Sequence, residues 1–398
     1  MEMGGSDIVF DSLRNPAAVS SLIFARIVYA INWLNIGAVF VLMSPDLGVG
    51  LAGLGALTSA FYLGIGLMQV PGGLLAARWG AKKVVVTGVL LSSFSVLGTS
   101  VLSDVSQIAV LRFLVGTGMA FVFAPGVVLV AALFRGGKFG VGVGLFNSAF
   151  DLGGLLGLFG WIVIASATGW RPSLALSGGL GVATGVLVHL YVPSGENRRD
   201  FGVSWGVLLS IIKDRSLVLL GLGTLGFGVS NLIISVFMIE YLVKSLSVSP
   251  PVAGLIASMV LVVPIFTAVW GGRIYDRTAR PRRLMAMSLV GGSLALGISA
   301  FPNAYAALAC AVLGGVVSGI GFTIAFAGAR DLNRAGEKYD GLAIAWVNSI
   351  SLTGAFIPPL FYSFVAGLWG YSAAWLGSAL LSVIFVVPLV FLGEWSGR

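Results

Sequence analysis

Residues 106–133 read SQIAVLRFLVGTGMAFVFAPGVVLVAAL, and Arg112 is the single charged residue in this stretch. An α-helix rises about 1.5 Å per residue, so roughly 20 apolar residues cross the hydrocarbon core of a bilayer. The run is continuous, unlike the alternating polarity of a transmembrane β-strand, and a helix satisfies its own backbone hydrogen bonds in lipid. The stretch therefore predicts a membrane-spanning helix.

Similar apolar runs recur along the whole chain of 398 residues, which is 58% hydrophobic and 10% charged. A soluble domain is about 25% charged, so this composition predicts an all-α integral membrane protein. The runs that lie between charged residues, glycines and prolines predict twelve transmembrane helices: 17–43, 51–76, 83–102, 106–133, 140–166, 173–192, 216–243, 252–274, 284–301, 304–328, 341–367 and 372–393.

The same composition excludes several classes of protein: a cytosolic enzyme, a nucleic-acid-binding protein and a secreted disulfide-rich protein. The single cysteine and single histidine leave no cluster for a metal and no catalytic triad. The chain also has no phosphate-binding loop, so ATP is not expected to drive it. We therefore expect no enzyme activity, no metal and no cofactor.

Lysine and arginine are concentrated on one side of the predicted membrane. With the N-terminus in the cytoplasm, 19 of the 23 Lys and Arg residues fall in cytoplasmic segments, and only Arg171 and Lys244 fall outside. This positive-inside bias predicts a multi-pass protein of the cytoplasmic (plasma) membrane with both termini in the cytoplasm. It accounts for the net charge of +8 without a nucleic-acid partner. The expected partners are the lipid bilayer and a small solute, and the expected state is a monomer.

The chain repeats itself at an interval of about 200 residues. Asn147 and Asn348 lie 201 residues apart in similar contexts, and so do Gly153 and Gly354. These matches indicate a duplicated six-span unit, and an even number of spans gives both copies the same orientation. Two such halves bind a solute between them near the membrane midplane. The predicted parts are an N-terminal half over 1–192, a cytoplasmic linker with an amphipathic helix over 193–215, and a C-terminal half over 216–398.

Two motifs resemble those of the major facilitator superfamily of secondary transporters. Residues 73–83, GLLAARWGAKK, resemble the family's loop between helices two and three, and residues 272–277, GRIYDR, repeat it more loosely. Residues 112–118, RFLVGTG, resemble the family's helix-four pattern Arg-x-x-x-Gly-x-Gly. The resemblance covers nearly the whole chain, and it implies a central cavity between two six-helix halves and transport by alternating access.

The resemblance also implies a latch at the cytoplasmic gate. The family's first loop carries an Asp where this chain has Ala77, whereas the second copy keeps Asp276. A carboxylate is stabilised at the positive end of a helix. We therefore expect a latch between Asp276 and the start of the fifth span near Gly140, with Arg78 and Arg277 in the two loops. The alternative is that Asp276 is an ordinary solvated loop charge.

Three charged side chains lie well inside predicted spans, away from the span ends, and each needs a partner or a water-filled cavity. Asp151 follows Asn147 by four residues and shares its helix face, which suits proton coupling or the binding of a substrate cation. The resemblance makes Arg112 a proton-coupling or substrate residue, and Arg26 would bind substrate. The alternatives are structural: Asp151 pairs with a neighbouring arginine, Arg112 caps carbonyl groups of another helix, and the long Arg26 side chain reaches the membrane interface.

Uncharged polar and aromatic side chains complete the predicted substrate site. Asparagine both donates and accepts hydrogen bonds, which suits a small polar solute, although such residues also join helices in membranes. The remaining predicted substrate contacts are Tyr29, Asn32, Asn35, Asn147, Asn231, Phe322 and Asn348.

The predicted function is secondary active transport of a small polar solute, driven by protons in symport or antiport, or by solute exchange. Two intramembrane arginines against the single Asp151 favour an anion as the solute. The alternative is a proton-coupled exporter of amphiphilic drugs with the same fold, and an acidic cavity would favour this alternative. The fifth span reads GGLLG at 153–157 and lacks the Gly-Pro signature that many drug antiporters of the family carry there.

Overall fold

The computed structural model describes residues 15–134, 139–194, 205–278, 280–336 and 339–395, and these residues contain helices and no strands. The helices are α1 Pro16–Leu47, α2 Leu51–Trp79, α3 Ala81–Val101, α4 Val105–Leu133, α5 Phe139–Leu155, a π-helical turn Leu156–Gly160, α6 Trp161–Thr168, α7 Trp170–Tyr191, α8 Trp205–Ile212, α9 Arg215–Leu246, α10 Pro250–Arg277, α11 Pro281–Ile298, α12 Ala304–Leu332, α13 Asp340–Gly354, α14 Ile357–Ile384 and α15 Val386–Val390.

Twelve spans account for these helices, in agreement with the predicted all-α membrane fold. Ten stretches of the described chain are long and apolar enough to cross a membrane, and the last of them, Asp340–Val390, has 51 residues. It holds two spans, because the backbone turns inside α14 at Gly370, where φ is +81°. The shorter α11, with 18 residues, is the twelfth span. The short α8 lies in the predicted linker, of which residues 195–204 fall outside the described chain.

The two six-helix repeats also show in the packing. In the first half α4 packs against α2 and α3, and in the second half α12 packs against α10 and α11 in the same way. Both contacts depend on a glycine at an equivalent position. A Cβ added to Gly116 would collide with the backbone of Phe61, and one added to Gly315 would lie 3.0 Å from the carbonyl oxygen of Met259. Small residues let membrane helices approach closely, so these glycines set the distance between the helices.

Equivalent turns join the last two spans of each half. Gly169 (φ +91°) ends α6, and Gly370 (φ +81°) lies 201 residues later. With ψ of 161° and 174° respectively, both backbones occupy a region that is essentially reserved for glycine. The preceding span is interrupted in both copies, by the π-helical turn that begins at Leu156 and by the break between α13 and α14.

The membrane end at which α2, α4, α10 and α12 end is called the basic end below. The basic residues at this end are Arg78, Lys82, Lys83, Arg280, Arg282 and Arg283. The halves touch through α1 with α9, α2 with α13 and α14, and α5–α6 with α10. In the second of these contacts Ser59 Oγ donates a hydrogen bond to the carbonyl of Phe356 at 2.6 Å. Closer to the middle of α2, Ser349 Oγ donates one to the carbonyl of Gly66 at 2.8 Å.

These contacts lie between the middle of the spans and the end opposite the basic end. Towards the basic end the halves separate: a Cβ on Gly144 or Gly341 would meet nothing within 4 Å among the described atoms, and Asn147 is exposed. Between described residues, no hydrogen bond or ion pair joins the halves on this side. The end opposite the basic end, where the contacts between the halves lie, is called the closed side below, and the basic end is called the open side.

Candidate functional site

Arg26 lies in the part of α1 that is nearer the basic end, where four aromatic rings surround its guanidinium group. The group lies 4.4 Å from the ring centroid of Tyr29, 5.0 Å from Phe123, 4.8 Å from Phe146 and 4.7 Å from Phe150. All four distances fall within the ~6 Å range of a cation–π interaction. The side chain is 5% exposed, and its Nε and Nη1 atoms have no hydrogen-bond partner. The rings hold the cation in place, but they leave two of its buried donors without a hydrogen-bond partner.

Three helices build this cage of rings. Tyr29 follows Arg26 by three residues on α1, and Phe146 and Phe150 are four residues apart on α5, so each pair lies on one helix face. Phe123 comes from α4. The three phenylalanines do not stand out in the sequence, although the spacing of Phe146 and Phe150 around Asn147 and Asp151 is a usable signal.

Asp151 lies beside the cage. Its charge interacts with that of Arg26, yet the two side chains do not form an ion pair. Asp151 is half-buried and Asn147 is exposed, one turn closer to the basic end. Both lie near the face of Gly154, which packs against Leu261 of the second half. They therefore border the seam between the halves on its open side.

Arg112 occupies a different environment from Arg26. It is 2% exposed, and it donates hydrogen bonds to the backbone carbonyls of Asn32 at 3.2 Å and Trp33 at 3.3 Å. Its guanidinium also lies 4.8 Å from the ring centroid of Phe61. This is the carbonyl-capping geometry that the sequence analysis left as the alternative. It joins α4 to α1, and its Nε remains without a partner.

Asn32 and Asn35 lie between α1 and α7, away from the cage. Asn35 donates to Ser177 Oγ at 2.8 Å, and Ser177 donates to Asn32 Oδ1 at 2.6 Å. The structure thus brings these two predicted substrate residues together in hydrogen bonds between helices. Tyr29 instead belongs to an aromatic ladder with Trp33, whose indole N–H donates to Tyr62 Oη at 3.2 Å.

The second half supplies polar but uncharged groups. Asn231 Nδ2 donates to Ser318 Oγ at 3.5 Å, and Phe322 packs edge-on against Phe227 with centroids 5.0 Å apart. Asn348 on α13 is half-buried. The positions equivalent to Arg26, Arg112 and Asp151 are Leu225, Ala311 and Leu352. The intramembrane charges near the midplane therefore belong to the first half.

The predicted latch residues lie at the basic end. Arg78, Asp276 and Arg277 are exposed, and no hydrogen bond or ion pair with another described residue reaches Asp276. Its expected partner, the start of α5 near Gly140, falls among the residues whose side chains are not described. Because the halves are separated at this end, a latch between them would form only in another state.

Known proteins share this sequence pattern and this fold. The galactarate/D-glucarate transporter GudP of Escherichia coli, a probable assignment, is 24% identical, with 88% of this chain and 87% of that protein covered. The nitrite extrusion protein of Bacillus subtilis is 23% identical, with 90% and 89% covered. The 4-hydroxybenzoate transporter PcaK of Pseudomonas aeruginosa is 31% identical, over 35% of this chain and 31% of that protein.

Solved structures share the whole architecture. The nucleoside transporter NupG superposes with a TM-score of 0.75 at 14% identity, over 94% of this chain and 98% of that one. A bacterial homologue of the human lysosomal transporter Spinster, in an inward-facing and occupied conformation, gives 0.70 at 16% identity, over 94% and 95%.

The family pattern of the Major Facilitator Superfamily matches residues 22–230 and, a second time, residues 218–395. The two matches correspond to the two six-helix halves seen in the packing. The chain therefore belongs to the major facilitator superfamily, whose members are secondary transporters and not enzymes.

Proposed function

We propose that this transporter moves a small organic anion across the cytoplasmic membrane, and that Arg26 binds the anionic group of the solute. The observation that carries this proposal is the state of Arg26: a buried guanidinium with two unpartnered nitrogens and no ion pair. A planar guanidinium matches a carboxylate through two parallel hydrogen bonds. An anion in the site would supply the partner that the charge lacks.

Asp151 gives the site its coupling to protons in this proposal. Its carboxylate lies within electrostatic reach of Arg26 but is not bound to it. An anion entering next to a charged Asp151 would meet like-charge repulsion, which protonation of Asp151 removes. Anion and proton therefore bind together, as symport requires.

The relatives support an anionic solute. Galactarate, D-glucarate, nitrite and 4-hydroxybenzoate, the compounds in the names of three relatives, are all anions at neutral pH. None of these compounds carries a cationic nitrogen, which the substrates of a drug exporter would carry.

The Lys and Arg distribution supports a cytoplasmic basic end, so the open side of the structure faces the cytoplasm in our proposal. Closure of this side brings the loops of Arg78, Asp276 and Arg277 towards the opposite half, where they act as the latch. The arrangement is an inward-facing state of an alternating-access cycle.

A thermal-shift measurement on the purified full-length protein tests the proposal. The probes are D-glucarate, 4-hydroxybenzoate, nitrite and a cationic drug. A ligand at 100 times its Kd raises the free energy of unfolding by about 2.7 kcal/mol. We expect an anion to raise the melting temperature in the wild type and in Arg171→Gln, a matched change at a partly buried arginine at the start of α7, but not in Arg26→Gln. Stabilisation by the cationic drug alone, lost in Asp151→Asn, would support the exporter alternative instead.

A further inference from the structure

Two side chains near the middle of the membrane, Gln69 and Trp346, have buried polar atoms without a partner and no part in the site described so far. Gln69 on α2 is 1% exposed, and both its Nε2 donor and its Oε1 acceptor lack a hydrogen bond. Trp346 on α13 has a buried indole N–H without an acceptor. Leaving such groups unpaired in an apolar environment is unfavourable, so each calls for an explanation.

Helix register places these two groups at one level. The hydrogen bond from Ser349 to the carbonyl of Gly66 fixes α13 against α2. The two helices run in opposite directions, so a step of three residues towards the basic end leads to Gln69 on α2 and to Trp346 on α13. Each step is about 4.5 Å along the helix. One group comes from each half, and both are buried one helical step closer to the basic end than the hydrogen bond that joins the halves.

Arg26 on α1 lies at a depth in the membrane similar to that of Gln69 and Trp346. The hydrogen bond between Trp33 and Tyr62 aligns α1 with α2. Seven residues, nearly two helical turns or about 10.5 Å, separate Trp33 from Arg26 and Tyr62 from Gln69, both towards the basic end. Three helices therefore present unpartnered donors or acceptors at similar depth: Arg26 on α1, Gln69 on α2 and Trp346 on α13.

We propose that Gln69 and Trp346 form a second pole of the substrate site and bind the hydroxyl groups of a hydroxylated carboxylate whose anionic end is held by Arg26. This inference rests on the proposed function and names its substrate class. A hydroxyl group donates and accepts hydrogen bonds, which matches the amide of Gln69, and it can accept from the indole N–H of Trp346. Because the two residues belong to different halves, a hydroxylated ligand bridges the seam at this level.

Comparing a hydroxylated dicarboxylate with its unhydroxylated counterpart isolates this pole. The probes are D-glucarate and adipate, which share a six-carbon chain with two carboxylates, and the measurement is calorimetric titration of the full-length protein. Sites that hydrogen-bond a substrate hydroxyl discriminate strongly against an analogue that lacks it. We expect the wild type to bind D-glucarate at least tenfold more tightly than adipate. In Gln69→Leu the ratio of the two affinities falls towards one, because binding of D-glucarate weakens and binding of adipate does not. Trp346→Phe reduces the same ratio severalfold.

Matched controls are Gln107→Leu and Trp369→Phe, which change exposed residues and leave the preference unaltered. Gln69→Met, an unbranched apolar replacement, gives the same answer if Gln69→Leu does not fold. Equal losses for both probes, or a preserved preference, would overturn the inference. A wild type that binds 4-hydroxybenzoate and neither dicarboxylate would also overturn it but would leave the proposed function standing. A wild type that binds no anion contradicts both.

Discussion

Ser349 in the second half donates a 2.8 Å hydrogen bond to the carbonyl of Gly66 in the first half, and this bond marks the floor of the closed side. Nearer the basic end the halves separate, and on the closed side of this bond they pack through glycines and serines. A transporter that alternates must break this bond when the closed side opens. The bond is therefore a point where the balance between the two states can be changed without touching the charged groups.

Removing the hydroxyl in Ser349→Ala should shift the protein towards the state that is open at the other end. A net hydrogen bond contributes about 0.5–1.5 kcal/mol, so the ratio of the two states should change roughly 2- to 10-fold. Ser363→Cys, at the buried contact with Gly55, reports opening through its reaction with an impermeant maleimide. Faster labelling is expected in the Ser349→Ala background, whereas Ser103→Cys on an exposed loop should label equally fast in both. Unchanged labelling of Ser363→Cys would show that the bond does not hold the closed side.

Gly66→Ala tests the same contact by crowding it. A Cβ at this position would collide with the backbone of Thr353, which cannot move aside as a flexible side chain could. Overpacking costs about 1–3 kcal/mol, so we expect either a lower melting temperature or faster labelling of Ser363→Cys. Gly144→Ala is the control, since a Cβ there meets nothing within 4 Å. If both variants behave like the wild type, the two halves are not in close contact at Gly66.

The turn at Gly370 makes a separate prediction about stability. Its φ of +81° and ψ of 174° are strained for any residue with a Cβ. Gly370→Ala should therefore cost about 1–3 kcal/mol. Gly367→Ala, three residues earlier in helical backbone with open space around it, should be neutral or slightly stabilising. Thermal unfolding in detergent measures both, and equal melting temperatures would contradict the assigned backbone conformation.

Asp151→Asn separates proton coupling from binding. If protonation of Asp151 only removes repulsion of the anion, the neutral amide should bind D-glucarate as well as or better than the wild type. Uptake into proteoliposomes should then lose its dependence on an imposed pH gradient. The measurement is the ratio of uptake with and without the gradient, and Ser148→Ala, at an exposed position three residues away, serves as a control that should retain the dependence on the gradient. A gradient-dependent Asp151→Asn would remove Asp151 from the coupling mechanism.

The sequence predicted the spans, the duplication and the charged residues, because apolar length, repeated residues and buried charges are all visible in one dimension. It did not predict which way each side chain points. A membrane helix is apolar on every face, so periodicity does not mark the face that meets a neighbour. The cage formed by the rings of Phe123, Phe146 and Phe150 can therefore be recognised only from the three-dimensional structure. For the same reason Arg112 and Asn32 were grouped with the solute, while the structure places them in contacts between helices.

The interruption of the fifth span illustrates a second limit of one-dimensional patterns. Residues 140–166 read as one continuous helix, yet the chain forms a π-helical turn at Leu156–Gly160. Here α1 crosses close by: a Cβ on Gly157 would lie 3.0 Å from Cα of Ile31. The glycines that permit this approach are visible in the sequence, but the local widening of the helix depends on the neighbour.

The central claim is that Arg26 binds the negative group of the solute, and exchange of radiolabelled D-glucarate across proteoliposomes tests it most directly. Arg26→Lys keeps the charge but loses the two-donor fork, and Arg26→Gln loses the charge. We predict that exchange is strongly reduced in Arg26→Lys and absent in Arg26→Gln, while Arg171→Gln retains wild-type exchange. Wild-type exchange in Arg26→Gln, in protein that is folded by its melting curve, would contradict the claim.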